Sequence, residues 1–288
     1  MPDRPHVKIC EVGPRDGLQN EQVFVSTENK VRLINLLSAT GVRYIEAASF
    51  VSRKWVPQMA DGKDVLARIS RQENVTYAAL TPNLKGYEEA LTANANEIAV
   101  FASASETFSR RNINCTIAES LIRYEAICRQ AHKANMPVRG YVSCVVACPY
   151  EGLIAPDAVR KVAVELLRMG CREISLGDTI GVATPDQVSS LLDVVLKSIP
   201  VERIAGHFHD TSGGALACIR TALAQGVRIF DSAVGGAGGC PFAPGAKGNV
   251  ATGLVFQMLE AEGYQTDIDP IALQQATVFI SQLLGRTP

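Results

Sequence analysis

Short apolar, β-branched runs recur along the 288 residues, each followed by a longer stretch with helical spacing, and this alternation predicts an α/β chain whose eight parallel strands close into a (β/α)8 barrel. Two further observations agree. Helical stretches end at Gly41, Gly170 and Gly226 just before the next strand's approach, where glycine takes the left-handed cap conformation at little steric cost. No linker rich in Pro, Ser or charge divides the chain. A single domain over residues 1–288 is therefore expected, with the barrel at about 7–260.

The expected strands, in order, are Val7–Val12, Tyr44–Ala47, Thr76–Leu80, Glu97–Phe101, Val138–Ala147, Glu173–Leu176, Ile204–His209 and Arg228–Ser232. Between them, helical spacing marks Thr27–Ala39, Ala118–Ala134, Pro156–Met169, Pro185–Ser198 and Gly214–Gln225. Thr184 before Pro185 reads as an N-cap followed by proline at the first helical position, and Ala155-Pro156 places another proline at a helix start. The tail from 269 to 284 carries apolar residues in a roughly helical pattern and is expected to close the bottom or side of the barrel.

Composition excludes several classes. With 47% of residues hydrophobic and 20% charged, the chain can bury a large core, so disorder is not its state. A net charge of -1 supplies no global basic field, so nucleic acid is not an expected partner. No uninterrupted apolar run is long enough to span a membrane, and no signal or transit pattern precedes the first strand. The eight cysteines form no C-x-x-C pair and are expected to be mostly buried thiols in a reducing compartment. A cytoplasmic location follows.

Barrel enzymes carry their chemistry on the loops after the strands. Here those loops are polar. His207 and His209, half of the four histidines, are spaced to share one strand face, where they are either a metal-ligand pair or two satisfied polar side chains. Arg15-Asp16, between glycines, offers a cation and a hard oxygen ligand, or a plain surface ion pair. Glu46 lies in the apolar run Tyr44-Ile45-Glu46-Ala47, so it needs a partner such as Arg15 or a catalytic role. Asp178 reads equally as a functional carboxylate or a helix N-cap. Asn249 is open to the same two readings; pointing inward, it completes a two-His, one-Asp, one-Asn set suited to Mg²⁺ or Mn²⁺. The segment 235–248 holds six glycines and two prolines around Cys240, placing that thiol for proton transfer or redox chemistry.

Several blocks together resemble one family. They are Gly13-Pro14-Arg15-Asp16-Gly17-Leu18-Gln19-Asn20, Ser49-Phe50-Val51-Ser52, Lys54-Trp55-Val56-Pro57-Gln58-Met59, Arg139-Gly140-Tyr141-Val142-Ser143-Cys144, Ser175-Leu176-Gly177-Asp178-Thr179, His207-Phe208-His209-Asp210 and Gly238-Gly239-Cys240-Pro241. In this order they are similar to the 3-hydroxy-3-methylglutaryl-CoA lyases, over about residues 7–284. The resemblance implies a metal-dependent TIM barrel that splits hydroxymethylglutaryl-CoA into acetyl-CoA and acetoacetate. It implies Asp16, His207, His209 and Asn249 as metal ligands, Arg15, Glu46, Asp178, His207 and Cys240 as catalytic groups, and Arg15, Asn20, Ser49, Lys54, Tyr141, Ser143 and Thr179 as substrate contacts. A homodimer acting on an acyl-CoA is also implied.

Two departures touch the surroundings of that site. Gly253 stands where the family commonly has an acidic residue, and Ser212-Gly213-Gly214 replaces the usual Tyr-Gly-Gln. Alternatives are a condensing enzyme of the same superfamily, a lyase for another 3-hydroxyacyl-CoA, or a barrel that binds CoA or metal without catalysis. Leu18, where the condensing enzymes usually carry an acid, and the Cys240 loop favour the lyase.

Overall fold

The structure, a computed structural model, describes residues 4–240 and 243–287, with the side chains of all of these except 240 and 243–246. Eight strands form the barrel: β1 (Lys8–Glu11), β2 (Tyr44–Ser49), β3 (Thr76–Leu80), β4 (Glu97–Ser103), β5 (Val138–Ser143), β6 (Glu173–Asp178), β7 (Ile204–Phe208) and β8 (Ile229–Ser232). Each pairs in parallel with its neighbours in sequence, and β1 pairs with β8 in the register Lys8↔Ile229 to Glu11↔Ser232, which closes the sheet. Helices cover the outside, burying Leu33, Ile34 and Leu37 from the first of them against the sheet. Each such side chain contributes about 1.5–3 kcal/mol.

The five foreseen helices are present, with caps as expected: the Thr184 hydroxyl accepts from the Gln187 amide, and Gly41, Gly170 and Gly226 have φ near +90°. Helices Gly62–Arg68, Leu84–Thr92 and Glu106–Ile113 were not foreseen; they run only 7 to 9 residues, too short for a clear apolar period, whereas the helix expected after Asn249 forms as Thr252–Ala261. The tail forms Pro270–Leu283, capped by the Asp269 carboxylate, and packs on the helix Thr27–Ser38 along the barrel's side. The seven cysteines described are buried and unpaired.

The expected strand Val138–Ala147 is corrected. It ends at Ser143, because Cys144 takes a left-handed φ of 60°, and Ala147–Cys148 pairs instead with Gly152–Leu153 in a small hairpin. The apolar run Val145–Ala147 hides this break, since it is buried under the loop rather than in the sheet.

The barrel interior holds charge. Arg139 on β5 is wholly buried, and its guanidinium donates to Glu173 Oε1 (2.6 Å), Tyr141 Oη (2.7 Å) and Asp231 Oδ1 (2.7 Å). Lys8 reaches the other Glu173 oxygen at 3.1 Å from the N-terminal end of the strands. Only this pairing makes such burial tolerable, since an isolated interior guanidinium would forfeit its hydration without replacement.

Candidate metal centre and active site

The loop after β1 is a wide helical turn in which the amides of Arg15, Asp16 and Gly17 all reach the Val12 carbonyl. Its glycines are required by close approach: a Cβ on Gly13 would meet Glu11 Oε1 at 2.6 Å, and one on Gly17 would lie 3.0 Å from the Ala237 carbonyl oxygen. The buried Glu11 carboxylate accepts from the amides of Gly13 and Val234 and from the Thr252 hydroxyl, tying this turn to the loop after β8. The turn thereby presents Arg15 and Asp16 inward.

Arg15 donates through Nε to Glu46 Oε2 (2.7 Å) and through Nη1 to Asp16 Oδ1 (2.6 Å). Both side chains lie largely out of solvent, so the ion pair is a built part of the site and not a surface one. Burial opposes ionisation of Asp16, but Arg15 and the two imidazoles outweigh it and bring its carboxyl down to about 2. Glu46 moves the other way. Its full burial raises the carboxyl despite Arg15, and its Oε1 has no hydrogen-bond partner.

The other Asp16 oxygen, Oδ2, accepts from Asn249 Nδ2 at 2.8 Å and stands 4.0 Å from the Nε2 atoms of both His207 and His209. Asp16, His207 and His209 each offer a donor atom within 4.8 Å of the others, a group that could hold a metal ion. The donor set suits such an ion. Two bonds of about 2.1 Å span about 4.2 Å. Burial, with the neighbouring His207 adding, lowers His209 to about 4, so its ring is neutral at pH 7, and its buried Nδ1 makes no hydrogen bond. His207 Nδ1 faces Asp231 Oδ2 at 3.1 Å.

His209 lies just beyond β7 and pairs across an isolated bridge with Asn249. Asn249 is not a helix cap: the following helix starts at Thr252, and the amide is spent on Asp16. Nor does Asp178 cap a helix, since Thr184 does; its two oxygens accept from the Val182 and Ala183 amides, and burial raises its carboxyl. Tyr141 lies beside Glu46 (3.4 Å) and under Arg15, whose guanidinium is 5.8 Å from the ring centroid. Ser49 and Ser143 end β2 and β5, the Ser49 hydroxyl buried without a partner, and Thr179 Oγ1 accepts from the Cys144 amide at 2.9 Å. Asn20 and Lys54 are exposed on loops outside the buried cluster. The Cys240 side chain lies outside the described residues.

Asp231 and Arg139 escaped the sequence reading. Asp231 is buried in mid-strand and joins Arg139, Ser175 Oγ (2.8 Å) and His207, which holds its carboxyl well below the usual range against the cost of burial. The available signal was the one that flagged Glu46: a charge inside an apolar run.

A family model for HMGL-like proteins matches residues 6–280. The chain belongs to the HMGL-like family. Among HMGL-like relatives, a protein of Pseudomonas mevalonii named hydroxymethylglutaryl-CoA lyase is 53% identical over 97% of this chain and 93% of its own. The crystal structure of the HMG-CoA lyase from Brucella melitensis superposes with a TM-score of 0.97 at 54% identity, over 98% of this chain and 99% of that one. An HMG-CoA lyase from Acinetobacter baumannii, solved with coenzyme A and 3-methylmalate, superposes at a TM-score of 0.93 and 41% identity, over 98% and 92% of the two chains. Some relatives are named cytoplasmic and others mitochondrial.

Proposed function

We propose that the chain is a divalent-metal-dependent lyase cleaving 3-hydroxy-3-methylglutaryl-CoA to acetyl-CoA and acetoacetate, as one domain spanning the whole chain. The observation that carries this is the convergence of Asp16, His207 and His209 beside the buried Arg15–Glu46 pair, within a chain so similar to named lyases.

Asp16, His207 and His209 would hold the metal, and Asn249 joins them once its amide turns to offer Oδ1 in place of Nδ2. The bound ion supplies Lewis acidity toward the hydroxyl and carboxylate oxygens of the substrate. The hard oxygen and borderline nitrogen donors favour Mg²⁺ or Mn²⁺.

The reaction removes the tertiary hydroxyl proton, breaks the C–C bond to leave a ketone and a thioester enolate, and protonates the enolate carbon. Arg15 stabilises the enolate oxygen, and one such donor is worth about 3 kcal/mol. His207, whose Nδ1 is held by Asp231 at 3.1 Å, and Asp178, whose carboxyl is raised by burial, are assigned the hydroxyl proton, Glu46 the positioning of Arg15, and Cys240 the protonation of carbon, as the resemblance implies. Ser49, Tyr141, Ser143 and Thr179 line the barrel mouth for the acyl portion. Asn20 and Lys54, farther out, suit the CoA moiety.

This reading places the enzyme in leucine breakdown and ketone-body formation, in the cytoplasm, as a homodimer. No helix among the described residues is long and apolar enough to cross a membrane.

The test is to strip the protein with chelator, restore Mg²⁺ or Mn²⁺, and supply hydroxymethylglutaryl-CoA with a panel of other 3-hydroxyacyl-CoAs. Acetoacetate is expected from the first alone and only with metal, and Arg15→Gln should lower kcat by about 10²–10³. Folded, metal-loaded protein that forms no acetoacetate refutes the proposal.

A further inference from the structure

The loop that carries Cys240 has a narrow base. There the Gly238 carbonyl accepts from the Gly248 amide at 3.1 Å, and Gly239 pairs with Lys247 next to it. Gly238 has a φ of +107°, and a Cβ on it would come within 3.2 Å of Gly17 Cα and of Asn249 Nδ2, so this base lies tight against the turn that presents Asp16. The Gly238 amide donates to Glu21 Oε1 at 2.7 Å.

Glu21 belongs to the loop after β1, and its side chain is 7% exposed. Its one ion-pair partner among the described residues is Arg286, whose Nη2 lies 2.9 Å from each carboxylate oxygen. A carboxylate so far out of water is costly without such a partner. The end of the C-terminal helix aims Arg286. After Pro270–Leu283, Gly285 turns left-handed with a φ of +67°. Its amide donates to the Gln282 carbonyl at 3.2 Å and the Arg286 amide to the Ser281 carbonyl at 2.8 Å, the two bonds of a Schellman motif. The same helix meets the loop after β8 a second time, since a Cβ on Gly235 would lie 2.8 Å from Ile280 Cγ2. A helix on the outside of the barrel thereby reaches the stem of a loop at its mouth.

We propose that Glu21 and Arg286 are positioning residues for the Cys240 thiol: Arg286 holds the Glu21 carboxylate, and Glu21 fixes the Gly238 amide two residues before the thiol. The inference rests on the reading of Cys240 as the group that protonates carbon. Both residues act through the loop and not on the substrate. A displacement of about 1 Å at a reacting group costs up to about 100-fold in rate, so releasing this hold lowers kcat and leaves KM alone.

The test compares Glu21→Ala, Arg286→Ala and Arg286→Lys with wild type in the full-length, metal-loaded protein. Two quantities are read: amide hydrogen exchange across 234–240, and kinetics with hydroxymethylglutaryl-CoA. Both alanine variants are expected to exchange about tenfold faster there and to lose about tenfold in kcat, with KM within about twofold. Arg286→Lys, which keeps the charge, recovers most of both. Arg286 is 41% exposed beyond the last helix, so its variants carry the test if Glu21→Ala fails to fold. Unchanged exchange in Arg286→Ala overturns the proposal, and so does faster exchange with kcat retained. A raised KM at constant kcat overturns it by placing Arg286 on the substrate. Wild type that forms no acetoacetate refutes the lyase reading instead, and exchange alone then decides whether Glu21 and Arg286 hold the loop.

Discussion

Replacing Asp231 with asparagine keeps its volume and removes its charge. The carboxylate is 1% exposed and receives Arg139 at 2.7 Å, Ser175 at 2.8 Å and His207 at 3.1 Å. At an effective dielectric near 20, a unit pair at that first distance is worth about 6 kcal/mol. Relief of the carboxylate's own desolvation offsets part of this, and Arg139 keeps Glu173 at 2.6 Å. The expected net loss is about 3–5 kcal/mol, as when one member of a buried pair is removed, from a total of about 5–15. Because Asp231 is held below the usual carboxylate range, its contribution is complete above the unfolded-state value and is lost as pH falls toward the folded one. The gap between wild type and Asp231→Asn should therefore be full at pH 7 and narrow in acid. His207 also loses the group that fixes its tautomer, so Mn²⁺ affinity should drop about 10–100-fold. Urea denaturation of metal-free protein and Mn²⁺ calorimetry read the two effects. A variant within 1 kcal/mol of wild type that binds Mn²⁺ normally would refute the reasoning.

Two further outcomes are expected. Burial pushes Glu11 from 4.5 up to about 7, so the folded state holds a proton the unfolded chain has released, and stability from this group falls as pH rises through that interval. Glu11→Gln should flatten the decline, and denaturation midpoints at pH 5 and pH 8 that fall as steeply as in wild type would contradict it. Lys54→Ala and Asn20→Ala, on exposed loops, should leave stability within about 0.5 kcal/mol and raise KM with kcat retained. A fall in kcat at constant KM would remove them from the substrate's path.

All eight strands were legible because each is a short apolar run, and five of them are followed by a helix with its own spacing and punctuation, a repetition that points to the closed order. Arg15, Asp16, Glu46 and the two histidines were legible for another reason: they cluster at strand ends or interrupt apolar sequence. Arg139 meets Glu173 on the paired neighbouring strand and Asp231 across the barrel, 34 and 92 positions away in sequence, and reading only the residues that follow the strands passes over charges within them. Asn249 looked like a cap because a helix follows. Its position is set instead by bridging His209 and bonding Asp16, contacts between residues far apart in the chain. Gly253, where an acid was expected, has nothing within 4 Å of a Cβ placed on it, so the structure shows no contact left broken by its absence.

The charged interior also limits how this barrel can be modified. Replacing a buried ion pair with packed apolar side chains is often neutral or stabilising elsewhere. Here Asp231 holds Arg139 with one oxygen and His207 with the other, so an apolar substitution that tightens the core also releases the imidazole at the metal centre. Durability and turnover draw on one shared part and cannot be adjusted separately along β5 and β8. A more heat-resistant form is better sought on the outer helices, since among the described residues the side-chain bonds of Arg139 and Asp231 come from strands.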